Sequence, residues 1–331
     1  MSKWTQKERG APFMVKLMLW LAFKLGRGGV RWILYPTVFY FLLTAPRSVS
    51  ESRRCLNRLL GRRATLRDVA KHFFTFSSCT QDRIFLLSNQ LAPFTVEAFS
   101  SPGMQETIAK TPGCLLIVAH FGSTEALRLA PLKTSVYCMP SSAAHDKQSA
   151  ASTVEALQVS VLIDKKSSPQ ITAQLEALNP ALAANLIDAS ERGPALVLKL
   201  KEALEAGRLV GIAADRTNPG ERSFDVQFMG ATARMPDGPW VLAAALHVPV
   251  ILGFGIYRGG AHYETHFELF SERVALPRQN RNEALQAIIQ QYALRLEHYV
   301  KLAPYNWFNF YDYWNEEGNS SSTGSASEQD A

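Results

Sequence analysis

The feature that most constrains the fold of this chain is the short, uninterrupted apolar run at residues 115–119. The run shows no polar alternation, so it predicts a strand that is buried on both faces, as strands of parallel sheets are. Apolar runs at 209–214 and 248–256 each follow a segment with helical periodicity. Strands that alternate with helices predict an α/β fold with a mixed, mainly parallel sheet flanked by helices.

A histidine stands where the first of these strands ends. His120 directly follows the run at 115–119, and Glu125 comes five residues later. Ligands of open α/β sheets collect at the carboxyl ends of the strands, and a neutral imidazole there can take a proton from a hydroxyl group. The spacing predicts His120 as a general base that Glu125 orients, although a histidine and an acidic residue also fall this far apart by chance.

The turn between these two residues contains Gly122 and Ser123. Gly122 allows a sharp change of chain direction, and Ser123 is a suitable N-cap for a helix that holds Glu125 in its first turn. Backbone N–H groups of such a turn can bind the oxyanion of a tetrahedral intermediate. We therefore expect Gly122 and Ser123 to contact the substrate.

Three more residues are candidates for substrate binding. Asp215 and Arg216 follow the apolar run at 209–214, where they could hold a polar headgroup or pair with each other or with neighbours. Arg234 precedes a predicted helix that begins near residue 236, where an anion gains support from the helix dipole; a solvated loop arginine is the alternative. The histidines lack metal-ligand spacing, so no metal ion is predicted, and the lack of a Gly-x-Ser-x-Gly motif disfavours a serine acyl-enzyme.

The N-terminal part of the chain is both basic and apolar. Residues 1–72 carry fifteen Lys/Arg and three Asp/Glu, whereas the whole chain has a net charge of +6. The basic residues flank two apolar runs, both shorter than the roughly 20 residues that a spanning helix needs. This pattern favours an anionic membrane surface over a nucleic acid as partner, and it predicts residues 1–48 as a membrane-associated helical segment on the cytoplasmic side. A short transmembrane helix over about 30–46 and a pair of soluble core helices are the alternatives.

The rest of the chain divides into two parts. Residues 49–316 form the predicted α/β domain. Residues 317–331 are rich in serine, glycine and acidic residues and contain almost no apolar side chain. Such a composition cannot bury a core, so this part is an expected disordered tail.

Several segments together resemble one enzyme superfamily. His120-Phe-Gly-Ser-Thr-Glu125 after an apolar strand resembles the His-x4-Glu motif of the lysophospholipid acyltransferases. Within that superfamily, the chain resembles the bacterial lipid A biosynthesis (late) acyltransferases over most of its length. The further matching segments are 207–216, Phe228-Met-Gly230, 247–254 and Pro304-Tyr-Asn-Trp307-Phe308.

This resemblance implies direct acyl transfer without a metal ion or cofactor. A fatty acyl chain would pass from a thioester, carried by acyl carrier protein or by coenzyme A, to a hydroxyl of a membrane glycolipid of the lipid A type. The reaction would take place at the cytoplasmic face of the inner membrane. His120 would be the base and Glu125 its partner.

The chain departs from this family at two places. Asp215-Arg216 stands where the family has Asp-Gln, and Tyr137-Cys138-Met139-Pro140 stands where the family has Tyr-Arg-Pro, with the arginine near the acceptor's phosphate. Three alternatives therefore stay open. They are a relative that acylates another lipid or an aryl-polyene or polyketide-type product, an acyl-CoA enzyme acting on a glycerolipid, and a non-catalytic membrane-binding protein.

A long helix is predicted over residues 65–90. Thr65 and Asp68 resemble a capping box at its start. An apolar stripe at helical spacing predicts that one face packs in the core, and contact of its phenylalanines with an acyl chain is the alternative. The stripe consists of Val69, Phe73, Phe76 and Ile84 with Leu87.

Overall fold

The computed structural model describes residues 12–129, 136–138, 159–165, 169–191, 193–218 and 220–314. The predicted tail at 317–331 lies outside these ranges. The strands are β1 (Thr95–Ser100), β2 (Cys114–Val118), β3 (Val136–Cys138), β4 (Val159–Ile163), β5 (Leu186–Asp188), β6 (Leu209–Ala213), β7 (Ser223–Phe228), β8 (Ala231–Pro236), β9 (Val250–Gly259) and β10 (His262–Ser271).

Eight of these strands form the main sheet, in the order β3-β1-β10-β9-β2-β6-β4-β5. Every neighbouring pair in it is parallel except β9 with β10. β2 and β6 lie side by side near the middle of the sheet, and both are buried over most of their length. The predicted α/β fold with a mixed, mainly parallel sheet is confirmed.

Strands β7 and β8 form a separate antiparallel hairpin that the sequence did not predict. Its two-residue turn is Met229-Gly230, and both residues have positive φ, at 53° and 76°. Turns of this kind match the twist of the flanking strands. Methionine at the first turn position is not a typical turn residue, so this stretch carries no clear hairpin pattern.

The helices pack against both sides of the sheet or precede it in the chain. They are α1 (Pro12–Arg31), α2 (Leu34–Thr44), α3 (Pro46–Leu60), α4 (Leu66–Leu87), α5 (Met104–Ala109), α6 (Thr124–Leu127), α7 (Pro169–Leu178), α8 (Pro180–Ala183), α9 (Pro194–Glu205), α10 (Gly238–Leu246) and α11 (Arg281–Leu302). A short 3-10 helix at Pro304–Asn306 follows α11.

Helices α1 and α2 carry an exposed apolar surface. Phe39 of α2 is 64% exposed, Trp32 in the turn between the two helices is 76% exposed, and several other large apolar side chains of these helices are also open to solvent. The two helices are therefore not core helices on all faces. None of the helices in the described part of the chain combines the length and the apolar character that crossing a bilayer requires.

A buried ion pair fixes α1 to α4. The Arg27 guanidinium donates to both carboxylate oxygens of Asp82, at 2.7 and 2.8 Å, and the Tyr263 hydroxyl donates to the same carboxylate at 2.8 Å. The Asp82 side chain is fully buried. Since a buried carboxylate is stable only with such partners, the N-terminal helices have a defined position against the α/β domain.

Helix α4 begins at the predicted capping box. The Asp68 backbone N–H donates to Thr65 Oγ1 at 3.2 Å, and the Thr65 backbone N–H donates to the Asp68 carboxylate at 2.8 Å. The predicted core stripe is correct at Val69, Phe73 and Leu87, which are buried. It fails at Phe76, which is 40% exposed.

Candidate active site

The register of the central strands brings His120 opposite Asp215. β2 and β6 are parallel neighbours, with Val118 paired to Ala213. His120 and Asp215 each lie two residues beyond these last paired positions. The carboxyl ends of adjacent parallel strands meet at one edge of the sheet, so the two side chains converge.

Asp215 holds His120 with both of its carboxylate oxygens. His120 Nδ1 lies 2.9 Å from Oδ1, and the His120 backbone N–H donates to Oδ2 at 3.1 Å. Burial raises the pKa of the Asp215 carboxyl, but its electrostatic and hydrogen-bonding interactions with His120 and the charge of Arg216 lower it more, to about 2. Because an ionised carboxylate only accepts, Nδ1 carries a proton and Nε2 is the basic nitrogen of the neutral ring. The His120 side chain is 41% exposed.

Glu125 has a different partner from the one predicted. Its carboxylate forms an ion pair with Arg83 of α4, with Oε1 2.8 Å from Nε. It also accepts from the Thr124 hydroxyl at 3.3 Å. Glu125 lies in the first turn of the short helix α6, which directs its side chain towards α4. The carboxylate that the structure places on the imidazole is therefore Asp215, and the predicted orienting role of Glu125 is not supported.

Backbone hydrogen bonds to two distant segments hold the turn after His120. The Gly122 N–H donates to the Asn306 carbonyl at 2.8 Å, and the Ser123 N–H donates to the Gly255 carbonyl at 2.8 Å. The Ser123 hydroxyl caps α6 by accepting from the Ala126 N–H at 3.2 Å. Both amides are thus already paired, and this arrangement does not support Gly122 and Ser123 as oxyanion donors.

Close backbone packing requires a glycine at position 122. Its φ is +56°, and a Cβ atom at this position would lie 1.7 Å from the Gly255 carbonyl oxygen. No L-residue with a side chain can be placed there without moving β9 away from β2. We infer that Gly122 sets how closely the turn approaches β9.

The C-terminal segment closes the site from one side. Phe121 and Trp307 form an antiparallel bridge, and the Phe308 N–H donates to the His120 carbonyl at 3.1 Å. The Tyr313 hydroxyl donates to the Asp215 backbone carbonyl at 2.8 Å. Both members of the His-Asp pair are therefore held by residues that lie far along the chain.

The two remaining candidates differ in position. Arg216 lies at the site, where its guanidinium donates to the Phe308 carbonyl and its Nε is 3.8 Å from Asp215 Oδ2. Arg234 is 65% exposed on β8 and pairs across the hairpin with Asp225, at 3.1 Å. It lies on a strand and not in the loop expected before a helix, and no described contact joins it to His120.

Cys138, which stands where the lipid A acyltransferases that the chain resembles have an arginine, is far from β2 in the sheet. Residue 138 ends β3, which forms the edge of the sheet beside β1. Three strands separate β3 from β2. Since neighbouring strands lie about 4.8 Å apart, the backbone at position 138 is about 19 Å from β2.

A second histidine, in α4, supports the C-terminal segment at Trp307. His72 of α4 is fully buried, and its Nε2 lies 3.0 Å from the Trp307 carbonyl oxygen while Nδ1 lies 2.8 Å from Ser52 Oγ. A carbonyl only accepts, so Nε2–H donates to it and Nδ1 accepts from the hydroxyl. Burial lowers the pKa of His72 to about 4, although the bond to Trp307 opposes this.

The low pKa of His72 makes the fold sensitive to acid. Because the folded-state pKa lies below the unfolded value of about 6.5, this group's contribution is complete above about pH 6.5 and is lost as the pH falls towards 4. From about pH 7.5 to about pH 5 the expected loss in free energy of unfolding is about 2 kcal/mol. Denaturant unfolding at both pH values, for the wild type and for His72→Gln, measures it. The variant should have a lower free energy of unfolding at about pH 7.5, but that free energy should change less between the two pH values than it does in the wild type. An equal change in both proteins would contradict the lowered pKa of His72.

The site thus combines a partly exposed imidazole with a buried, ionised carboxylate at the carboxyl edge of a mainly parallel sheet. No protein-family model matches this chain, and no curated protein sequence matches it. What the site can do must therefore be argued from its own geometry and chemistry.

Proposed function

We propose that this protein is a membrane-associated acyltransferase. It moves a fatty acyl chain from an acyl thioester, carried by acyl carrier protein, to a hydroxyl of a glycolipid of the lipid A type. The observation that carries this proposal is the contact between His120 Nδ1 and the buried Asp215 carboxylate at 2.9 Å. This pair can deprotonate a hydroxyl, and the sequence around it resembles that acyltransferase family.

The pair supports a direct transfer in two proton steps. As the acceptor oxygen attacks the thioester carbonyl carbon, His120 Nε2 takes the hydroxyl proton, and Asp215 stabilises the imidazolium that forms. The tetrahedral intermediate then collapses with loss of the C–S bond. The thiolate leaves with the proton from His120, so the products are an ester and a free thiol.

The N-terminal helices support a membrane location for this reaction. The exposed aromatic residues of α1, α2 and the turn between them, among them Trp32 and Phe39, suit the headgroup zone of a bilayer. Lysine and arginine residues flank them, which favours the anionic, cytoplasmic face of the inner membrane. The ion pair between Arg27 and Asp82 gives this surface a defined position against the α/β domain.

A second candidate is the same chemistry on another acceptor. Cys138 replaces the arginine that the lipid A family has near the acceptor's phosphate. This difference favours a glycolipid without that phosphate, or an aryl-polyene or polyketide-type product. The donor and the two catalytic residues would be the same in both cases.

Mass spectrometry of membrane lipids tests both candidates. Lipids are compared between cells without the gene, cells with the wild-type gene and cells with the His120→Ala gene. We expect one lipid class to lose one acyl mass in the first and third strains, and the class identifies the acceptor. Identical lipid profiles in all three strains would contradict the proposed function, and recovery of the protein only in the soluble cell fraction would contradict its membrane location.

A further inference from the structure

Three aromatic side chains pack together beside the candidate active site. The Phe76 ring lies 5.2 Å from that of Phe308 and 5.3 Å from that of Phe310, both in edge-on contact. We call these three residues the aromatic wall. His72 stacks on Phe310 at 4.5 Å, and its two ring nitrogens are bonded as described above, so the wall has a fixed support.

Hydrogen bonding places this wall next to His120. The Phe308 N–H donates to the His120 carbonyl, and the adjacent residues Phe121 and Trp307 form an antiparallel bridge. Phe308 is itself buried at 9% exposure, and its ring contacts that of Phe76. The wall is therefore joined to the backbone of His120 through Phe308.

The wall needs an apolar partner to cover it. Phe76 is 40% exposed, and its ring offers no hydrogen bond to water, so removing it from water is favourable. Phe308 is buried and Phe310 is half-buried, so Phe76 is the most exposed member of the wall. A large apolar ring kept open beside a polar catalytic pair suits a substrate that has a reactive polar end and an apolar chain.

We propose that the aromatic wall binds the fatty acyl chain of the thioester donor, and that Phe76 determines which chain lengths bind well. This inference rests on the proposed function. The thioester carbonyl must come within about 3 Å of the acceptor oxygen that His120 deprotonates. The acyl chain begins at that carbonyl, whereas the acyl chains of an acceptor lipid begin several bonds from its hydroxyl. The donor chain is therefore the one that lies against Phe308 and Phe76.

Steady-state kinetics with acyl thioesters of short, medium and long chain length test this proposal. Phe76→Ala should raise KM for long chains about tenfold and change KM for short chains little, because apolar contact is lost only where the chain reaches the ring. Phe76→Trp should shift the preference to shorter chains. Leu294→Ala is the matched control, since Leu294 is 57% exposed on α11 and belongs to neither the wall nor the site. A chain-length profile that stays the same in both Phe76 variants would overturn the proposal.

Photo-crosslinking gives a readout that does not depend on turnover. A long-chain acyl thioester with a diazirine near the chain end is bound to the full-length His120→Ala protein, irradiated and mapped by peptide mass spectrometry. We expect labels in the peptides that contain Phe76 or Phe308. Labels confined to α1 and α2 would instead indicate membrane-like binding and would overturn the proposal. Labelling of the wall in a protein whose wild type transfers no acyl group would support the binding inference and contradict the proposed function.

Discussion

Replacing Asp215 by asparagine is expected to lower kcat for acyl transfer by about 10³-fold, because the change forces His120 into the wrong tautomer. In the wild-type protein both carboxylate oxygens of Asp215 accept a hydrogen bond, one from the His120 backbone N–H and one from His120 Nδ1–H. An asparagine has only one accepting oxygen. The backbone N–H cannot lose its proton, so the amide oxygen pairs with it and the NH₂ group faces Nδ1. The proton then moves to Nε2, and the base is lost.

Glu125→Gln is the matched comparison for this variant. Glutamine has the same shape and keeps a polar contact with Arg83, so we expect less than about a tenfold loss of kcat. Thermal unfolding of both variants checks that each is folded. The opposite result, with Glu125→Gln inactive and Asp215→Asn active, would restore the pair that the sequence spacing alone predicts.

His120→Ala is expected to lower kcat/KM by at least about 10³-fold, because the variant has no group that can take the acceptor proton. The side chain is partly exposed and its removal leaves Asp215 with the His120 backbone N–H and the nearby Arg216. We therefore expect a folded protein. The rate of thiol release from a long-chain acyl thioester in the presence of acceptor lipid measures the loss.

Two controls separate the loss of a base from a general disturbance. His298→Ala removes an exposed histidine of α11 and should leave kcat/KM unchanged. Imidazole added to the His120→Ala protein should restore part of the rate, because it can occupy the space left by the side chain and act as the base. Full activity of His120→Ala without imidazole would exclude His120 as the catalytic base.

The strand that ends at His120 could be predicted from the sequence, but its carboxylate partner could not. An apolar run followed by a histidine is a local pattern, and it correctly predicts β2 and the edge of the sheet at which the candidate site lies. Asp215 also follows a predicted strand, at the same distance beyond its last paired residue as His120. The two meet only because β6 lies directly beside β2. Strand order is a long-range property of the packed sheet, and the sequence pattern does not contain it.

The turn and its supports escaped prediction for a similar reason. The spacing of His120 and Glu125 fits a dyad, but α6 directs Glu125 towards Arg83, forty-two residues earlier in the chain. The Gly122 backbone N–H donates to the Asn306 carbonyl, and the sequence pattern identified this C-terminal segment only by its aromatic residues. Local patterns predict which residue types stand at the edge, and tertiary contacts decide which of them meet.

The bridge between Phe121 and Trp307 has a consequence for the order in which the molecule is built. The residues that fix the turn and cover Asp215, among them Asn306 and Tyr313, are separated from His120 by nearly two hundred positions. Contacts of such long sequence separation form late in folding, because loop-closure entropy opposes them until the intervening structure is in place. During synthesis the sheet can assemble while this segment is still missing. The supports of the turn and the cover over Asp215 are therefore completed only after the C-terminal segment has been made, whereas the pairing of β2 with β6 can bring His120 and Asp215 together before that.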